Sequence, residues 1–323
     1  MESAPGLQLQ PRDFVLLKGF FESRIMTLQH VADLYFGGRK EAAKKRLQKF
    51  KKAGFIAERA RCVNEPSILS LTRTALEFLV KNKCLDDYPK LGWAALQKRG
   101  QVSDLTLKHE LGVMDVKATL AVALRSTPVF NLREFTTWPR LSEFSARRPS
   151  QNSAGIDVAV KPDGFIRIEE RELDGRLSEH TFFLELDRST ETQETLVLRA
   201  ACYADYYRSG GLAARYGQPR TAYKDFPFRL LVVCKTLERL NNAAERMLRI
   251  NPPIFTFAWL TTMQAVLDNP LGAIWIRPID YRDALRGTAF DTEQTKSPSF
   301  YRRQSERETL VERSVKRLAL LAP

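Results

Sequence analysis

Apolar positions recur at helical spacing from the first residues onward. Phe14, Leu17, Phe20 and Phe21 form one stripe behind Pro11, a residue suited to a first helical turn. Thr27 is placed to cap a second, shorter helix through Val31, Leu34 and Tyr35, which Gly37-Gly38 ends. A third helix over residues 39–53 sets Ala42, Ala43, Leu47 and Phe50 on one side and basic residues on the remainder, and Gly54 stops it. Phe55-Ile56 and Ile68-Leu69-Ser70-Leu71-Thr72 read as the arms of a hairpin with alternating apolar positions, and the stretch from Thr72 to Leu79 returns to helix.

Residues 81–101 mix Pro89, Gly92 and Gly100 with Trp93 and Leu96, the composition of an ordered connector. A strong helix follows from Leu107 to Leu124. Beyond it the period shortens to that of strands: Phe130 to Phe135, two runs within Ile156 to Ile168, and Thr181 to Asp187. Glu194 to Arg208 is helical again, Phe228 to Cys234 is a buried strand, Leu237 to Leu248 is a helix, and Phe255 to Trp259 and Ala273 to Ile276 add short strands. The expected class is therefore α+β: a winged helix-turn-helix over residues 10–80, a connector over 81–104, and over 105–285 a domain whose order of helix, three strands, helix and strand is that of restriction-endonuclease-like proteins, with a mixed sheet. Residues 286–323 are set apart as a C-terminal tail rich in Arg, Glu, Ser and Lys, ending in Leu318-Ala319-Leu320-Leu321.

Composition narrows the chemistry. The 323 residues are 44% apolar and 10% aromatic, too rich for a disordered chain, and no apolar run reaches the roughly 18–20 residues of a membrane span. No basic and apolar leader opens the chain, so a cytoplasmic location is the expectation, with no membrane insertion. Cys62, Cys84, Cys202 and Cys234 are widely spaced, as buried thiols are, and His30, His109 and His180 are too far apart for a histidine metal cluster or an H-E-x-x-H helix.

The net charge of +13 is unevenly spread. Between Arg39 and Arg61 stand ten basic residues, Arg39, Lys40, Lys44, Lys45, Arg46, Lys49, Lys51, Lys52, Arg59 and Arg61, against two acids, Glu41 and Glu58. A cationic segment on the third helix of a winged helix points to double-stranded DNA, with Arg39, Lys40, Lys44, Lys45, Arg46, Lys49, Lys52, Arg59 and Arg61 as candidate contacts. The following helix packs behind the wing or pairs two protomers, which leaves a homodimer open.

Carboxylates supply the second candidate site. Asp163 stands in a Pro-Asp-Gly turn, and Glu185 and Asp187 end an apolar strand 22 and 24 residues later, on the same side of it. Nucleases of this layout hold Mg²⁺ or Mn²⁺ on two such acids, because the metal activates water and offsets charge on the leaving oxygen. Asp163 and Glu185 are the expected metal ligands, with Glu110 on the preceding helix as a further ligand or simply an acid in a first turn. Asp187 stands where such a site usually carries Lys, and Arg199 on the next helix is the candidate replacement.

The basic N-terminal segment, His109-Glu110-Leu111-Gly112-Val113-Met114-Asp115-Val116, Lys161-Pro162-Asp163-Gly164 and the run from Phe182 to Glu191 together resemble the replication-relaxation family of plasmids and mobile elements, over roughly residues 10 to 280. The resemblance implies kinship with relaxases of the MobC type, which nick DNA through a restriction-endonuclease-like fold without a catalytic tyrosine. It puts Asp163 and Glu185 at the presumed metal positions, and Arg199 where family members tend to carry Lys. Two functions follow: a metal-dependent DNA nickase of plasmid replication or mobilisation, or a non-catalytic DNA-binding regulator or replication accessory protein with a degenerate nuclease fold.

Overall fold

The computed structural model describes residues 7–60, 65–101, 103–138, 143–148, 155–188, 191–287, 312 and 315–321. The chain divides into two compact units, Met1–Ser142 with Arg171–Gly175, and Glu143–Glu170 with Arg176–Pro323.

In the first unit, α1 (Pro11–Glu22), α2 (Leu28–Tyr35), α3 (Lys40–Lys52), β2 (Ile56–Glu58), β3 (Ile68–Leu71) and α4 (Arg73–Lys81) appear where the pattern of apolar residues puts them, and β1 (Met26–Thr27) adds a short strand that the pattern did not announce. The three strands form an antiparallel sheet in the order β1-β3-β2, with Met26 opposite Leu69 and Ile56 opposite Leu71. Thr27 caps α2 as expected: its hydroxyl accepts from His30 N, and His30 Nδ1 accepts in return from Thr27 N, each at 3.2 Å. At the other end of α3, Gly54 takes φ +69°, a left-handed conformation that glycine enters freely. The Gly54 and Phe55 amides then bond to the Lys51 and Phe50 carbonyls, and the rings of Phe50 and Phe55 meet edge to face at 6.0 Å. One device thus stops the helix, satisfies its last carbonyls and turns the chain into β2.

Leu16, Leu17, Phe20, Val31, Ala43, Leu47, Phe50 and Leu69 make the core of this unit. Gly19 admits α2 at close range, since a Cβ there would stand 1.8 Å from the Tyr35 hydroxyl oxygen. The buried stripe of α3 is Ala43, Arg46, Leu47 and Phe50, whereas Ala42 is exposed. The expectation is corrected at these two positions: Arg46 turns inward because Asp13, fully buried in the first turn of α1, awaits it there.

The connector packs into the same core through Tyr88, Leu96 and the half-buried Leu85, Leu91 and Trp93, the last two flanking or opening α5 (Trp93–Gly100). Next come α6 (Asp104–Arg125) and β4 (Phe130–Thr136). The long helix, expected from sequence to begin the second domain, lies against α2 in the first unit: His30 Nε2 meets Asp115 Oδ1 at 2.7 Å, Arg24 meets Glu110 at 3.1 Å, and Arg125 donates to the Asp33 carbonyl.

The second unit contains a hairpin of β5 (Phe144–Arg148) and β6 (Ile156–Val160), then β7 (Gly164–Arg171), β8 (Leu177–Asp187), α7 (Gln193–Arg208), α8 (Gly211–Arg215), a 3₁₀ turn over Arg220–Asp225, β9 (Arg229–Cys234), α9 (Leu237–Arg249), β10 (Ala258–Thr262), α10 (Met263–Asp268), β11 (Ala273–Trp275), α11 (Pro278–Gly287) and β12 (Leu318–Ala319). Its mixed sheet runs in the order β10-β9-β8-β7. β8, β9 and β10 are parallel, with Glu185 opposite Val232 and Asp187 opposite Cys234. β7 and β8 are joined by a connection too short for a crossover, which makes them a hairpin.

Two details depart from the sequence expectation. β5, a short strand with two arginines, alternates only over Phe144 and Ala146, too briefly to stand out, and β6 pairs with β5 instead of entering the main sheet. Packing holds this hairpin in place: Phe144 stacks on Tyr206 of α7 at 4.0 Å. The end of the C-terminal tail is also part of the fold, because β12 pairs with β11 and Leu320 and Leu321 are buried. Cys202 and Cys234 are buried and Cys84 is half-buried, all as free thiols, while Cys62 lies outside the described residues.

Candidate functional site

Two groups of charged residues were expected from sequence, and apart from Glu110 the described members of each sit within one unit. On α3 of the first unit, Lys40, Lys44, Lys45, Lys49 and Lys52 are exposed and make no ion pair with any described residue. Their positions follow from the helical period: with Ala43, Leu47 and Phe50 inward, residues 44, 45, 49 and 52 fall on the outer half of the cylinder. The helix itself is fixed from behind. Arg46, 9% exposed, donates through Nε to Asp13 Oδ1 at 2.8 Å, through Nη2 to Asp13 Oδ2, and to the Gln8 carbonyl at 2.9 Å. Its charge is neutralised inside the unit, where a bidentate pair holds α1 to α3.

The remaining basic candidates divide. Arg39 is exposed, with its Nε on the Phe36 carbonyl at 3.0 Å, and Arg59 is half-buried with Nη2 on Asp104 at 2.9 Å. Arg61 lies outside the described residues. Lys51, not among the candidates, pairs with Glu58 of β2.

In the second unit the acids stand at the C-terminal end of β8, the strand at which the parallel set meets the β7 hairpin. Alternation along the strand turns Phe183, Glu185 and Asp187 to one side, and α7 and α9 lie on that side: Phe183 meets Tyr203 of α7 at 5.3 Å between ring centroids. Asp163, in the turn before β7, is tied to the same strand end. Its amide donates to the Leu184 carbonyl at 3.1 Å, and its Oδ2 accepts from Leu186 N at 2.8 Å. The fold therefore brings Asp163 beside Glu185, across 22 residues of chain.

Every oxygen of Glu185 and Asp187 has a donor. Glu185 is 1% exposed; Oε1 accepts from Tyr203 Oη at 2.5 Å and Oε2 from Arg199 Nη1 at 2.7 Å. Arg199 continues outward to both oxygens of Glu191 at 2.8 Å, so its guanidinium bridges two carboxylates. Both Asp187 oxygens accept from Arg239 of α9, which also donates to the Glu191 carbonyl at 2.5 Å. Burial first, and the Asp163 carboxylate next, push the Glu185 carboxyl up to about 8, against the pull of Arg199 and Tyr203.

As the side chains stand, Arg199 and Arg239 take carboxylate oxygens that a divalent cation would use. Hard cations take several oxygen ligands with lone pairs to spare, and here Arg199 already stands where positive charge is needed. Among the described residues no three acidic, histidine or cysteine side chains gather to hold a metal ion. Glu110 belongs to the first unit, where Arg24 pairs with it.

Sequence reasoning found Asp163, Glu185, Asp187 and Arg199 but missed Glu191 and Arg239. Glu191 closes the run that begins at Phe182 but stands ahead of the first turn of α7, so no helical spacing ties it to Arg199 in the sequence. Arg239 carries no local signal, because only the parallel pairing of β8 with β9 brings the start of α9 to Asp187.

A family model described as replication-relaxation matches residues 17–219. No curated protein and no solved structure matches the chain.

Proposed function

The chain belongs to the replication-relaxation family, which suggests involvement in plasmid or mobile-element replication, and on that premise we propose that it is a DNA-binding protein whose first unit grips the duplex through α3. In this reading the first unit is a winged helix: α3 enters the major groove, its outer lysines contact phosphates, and β2 and β3 form the wing. The observation that carries it is the division of labour on α3. Arg46 anchors the inner face on Asp13, while Lys44, Lys45, Lys49 and Lys52 stay exposed and unpaired among the described residues. Ammonium groups held in no ion pair remain free to displace counterions from a polyanion.

Duplex binding measured by anisotropy across a salt series tests the reading. Replacing Lys45, Lys49 and Lys52 together with Ala is expected to lower affinity at least about tenfold and to flatten the log–log salt dependence by about 0.9 for each phosphate that is no longer neutralised. An unchanged slope moves the DNA surface off this helix.

A second reading, a metal-dependent nickase on a restriction-endonuclease-like second unit, draws support from the approach of Asp163 to Glu185. The arginines on Glu185 and Asp187 favour the non-catalytic alternative, a replication accessory or regulator with a degenerate nuclease centre. Supercoiled plasmid incubated with the protein and Mg²⁺ or Mn²⁺ separates the two. Open circles made by the wild type and not by Asp163→Ala or Glu185→Ala would install the nickase.

A further inference from the structure

Away from the acidic centre, the surface around α8 and the 3₁₀ turn gathers exposed cations and open aromatic rings. Tyr216, the residue after α8, is 42% exposed and stacks on Phe226 at 5.7 Å with the planes 20° apart. Arg167 of β7, held through Nη2 by Glu179 at 2.7 Å, reaches the same ring: its guanidinium carbon is 5.9 Å from the centroid and Nη1 donates to Tyr216 Oη at 3.4 Å. Arg215 and Arg220 are exposed and have no ion pair among the described residues. Each is nonetheless held, Arg215 over the ring of Phe165 at 5.5 Å and Arg220 by donating to the Ser209 carbonyl at 3.0 Å. Arg208 and Lys224 are exposed as well, with Asp225 the exposed acid of the same turn.

These residues converge. Arg215, Arg220 and Tyr216 all lie close enough to the Tyr206 hydroxyl to bear on its ionisation, which burial pushes up. A stacked, partly open tyrosine next to two guanidinium groups held in no ion pair among the described residues matches a polyanion that also presents flat apolar faces. Single-stranded nucleic acid has both, phosphates along the backbone and unstacked bases, and base–aromatic stacking tolerates any sequence. A duplex keeps its base faces inside the stack and would leave Tyr216 idle.

We propose that this face of the second unit, centred on Tyr216, Arg215 and Arg220, binds single-stranded nucleic acid, with a base stacked at Tyr216 and phosphates running past the two arginines. The site is distinct from the lysine face of α3 in unit and in the form of nucleic acid it takes.

The test uses the full chain with a labelled oligothymidine of about 30 nucleotides, longer than the site of one single-strand-binding module, and a duplex of equal length. Tyr216→Ala is expected to weaken oligothymidine binding by about tenfold and to leave the duplex unaffected. Arg215→Ala with Arg220→Ala is expected to lower the single-strand salt slope by about 0.7 for each phosphate released. Tyr216→Phe keeps the ring and is expected to bind like the wild type, which guards against a folding defect in the alanine variant. Oligothymidine binding that survives replacement of Lys45, Lys49 and Lys52 supports the second surface even where duplex binding is lost. Single-strand binding that vanishes with those lysines and ignores Tyr216→Ala overturns it, as does a wild type that binds no oligothymidine.

Discussion

The basic helix of the first unit and the acidic strand end of the second are opposite solutions to the placing of charge. On α3 one arginine is buried against Asp13 and Lys51 pairs with Glu58, while Lys44, Lys45, Lys49 and Lys52 make no ion pair with any described residue. On β8 both acids are engaged, Glu185 by Arg199 and Tyr203, Asp187 by Arg239. Both regions were conspicuous by residue type. What separates them is pairing: an unpaired exposed charge is available to a ligand, and a buried pair is available only to the fold.

The largest test of this contrast breaks the pair that anchors α3. Asp13→Ala leaves Arg46 buried without its partner and is expected to cost about 3–5 kcal/mol in urea denaturation. Joint replacement by Asp13→Leu and Arg46→Met is expected to restore most of that loss, since an apolar pair needs no desolvated charge. A small cost for the single change would put Arg46 back among the free cations of the helix.

Proton titration probes the other side. Because burial and Asp163 raise Glu185, its neutral form is the one the folded chain prefers. That stabilising contribution is complete below the usual carboxylate range and is lost as pH climbs through about 8. Unfolding free energy of the wild type, measured against Glu185→Gln, is expected to fall between about pH 5 and 8 by at most about 1.4 kcal/mol per pH unit. Parallel profiles would show that Arg199 keeps the carboxyl ionised throughout.

A third experiment tries to turn the closed centre into an open one. Arg199→Ala removes the bridging cation between Glu185 and Glu191. Mn²⁺ is expected to raise the Tm of that variant and not of the wild type, with about 2.7 kcal/mol of stabilisation when the metal reaches about a hundredfold its Kd. A similar rise in the wild type would mean that the arginine yields to a metal. The smallest expected effect lies on α3: Lys49→Ala should change stability by less than about 0.5 kcal/mol while lowering the duplex salt slope by about 0.9. Stability loss beyond that range would show that the lysine supports the fold.

Local order was legible along most of the chain. The stripe of Leu17, Phe20 and Phe21, the Thr27 cap and the Gly54 stop place the first three helices because helix period, cap chemistry and glycine freedom act within a few residues. The apolar run of β8 ending in Glu185 and Asp187 was equally plain. Arg46 was legible in part, since it shares the stripe of Ala43, Leu47 and Phe50, but nothing beside it names Asp13 as its partner. β5 was not legible, because its packing partner Tyr206 stands on a helix far along the chain.

The sequence by itself determined where helices and strands run, where positive charge accumulates and which acids end a buried strand, all consequences of interactions spanning a turn or a strand. Only the tertiary structure decided which of those charges is left over. A parallel strand pair carries Arg239 to Asp187, and one helix face delivers Arg199 and Tyr203 to Glu185. Such pairings are fixed by packing between elements remote in the chain, where desolvation makes each buried charge require a partner that the local sequence does not specify.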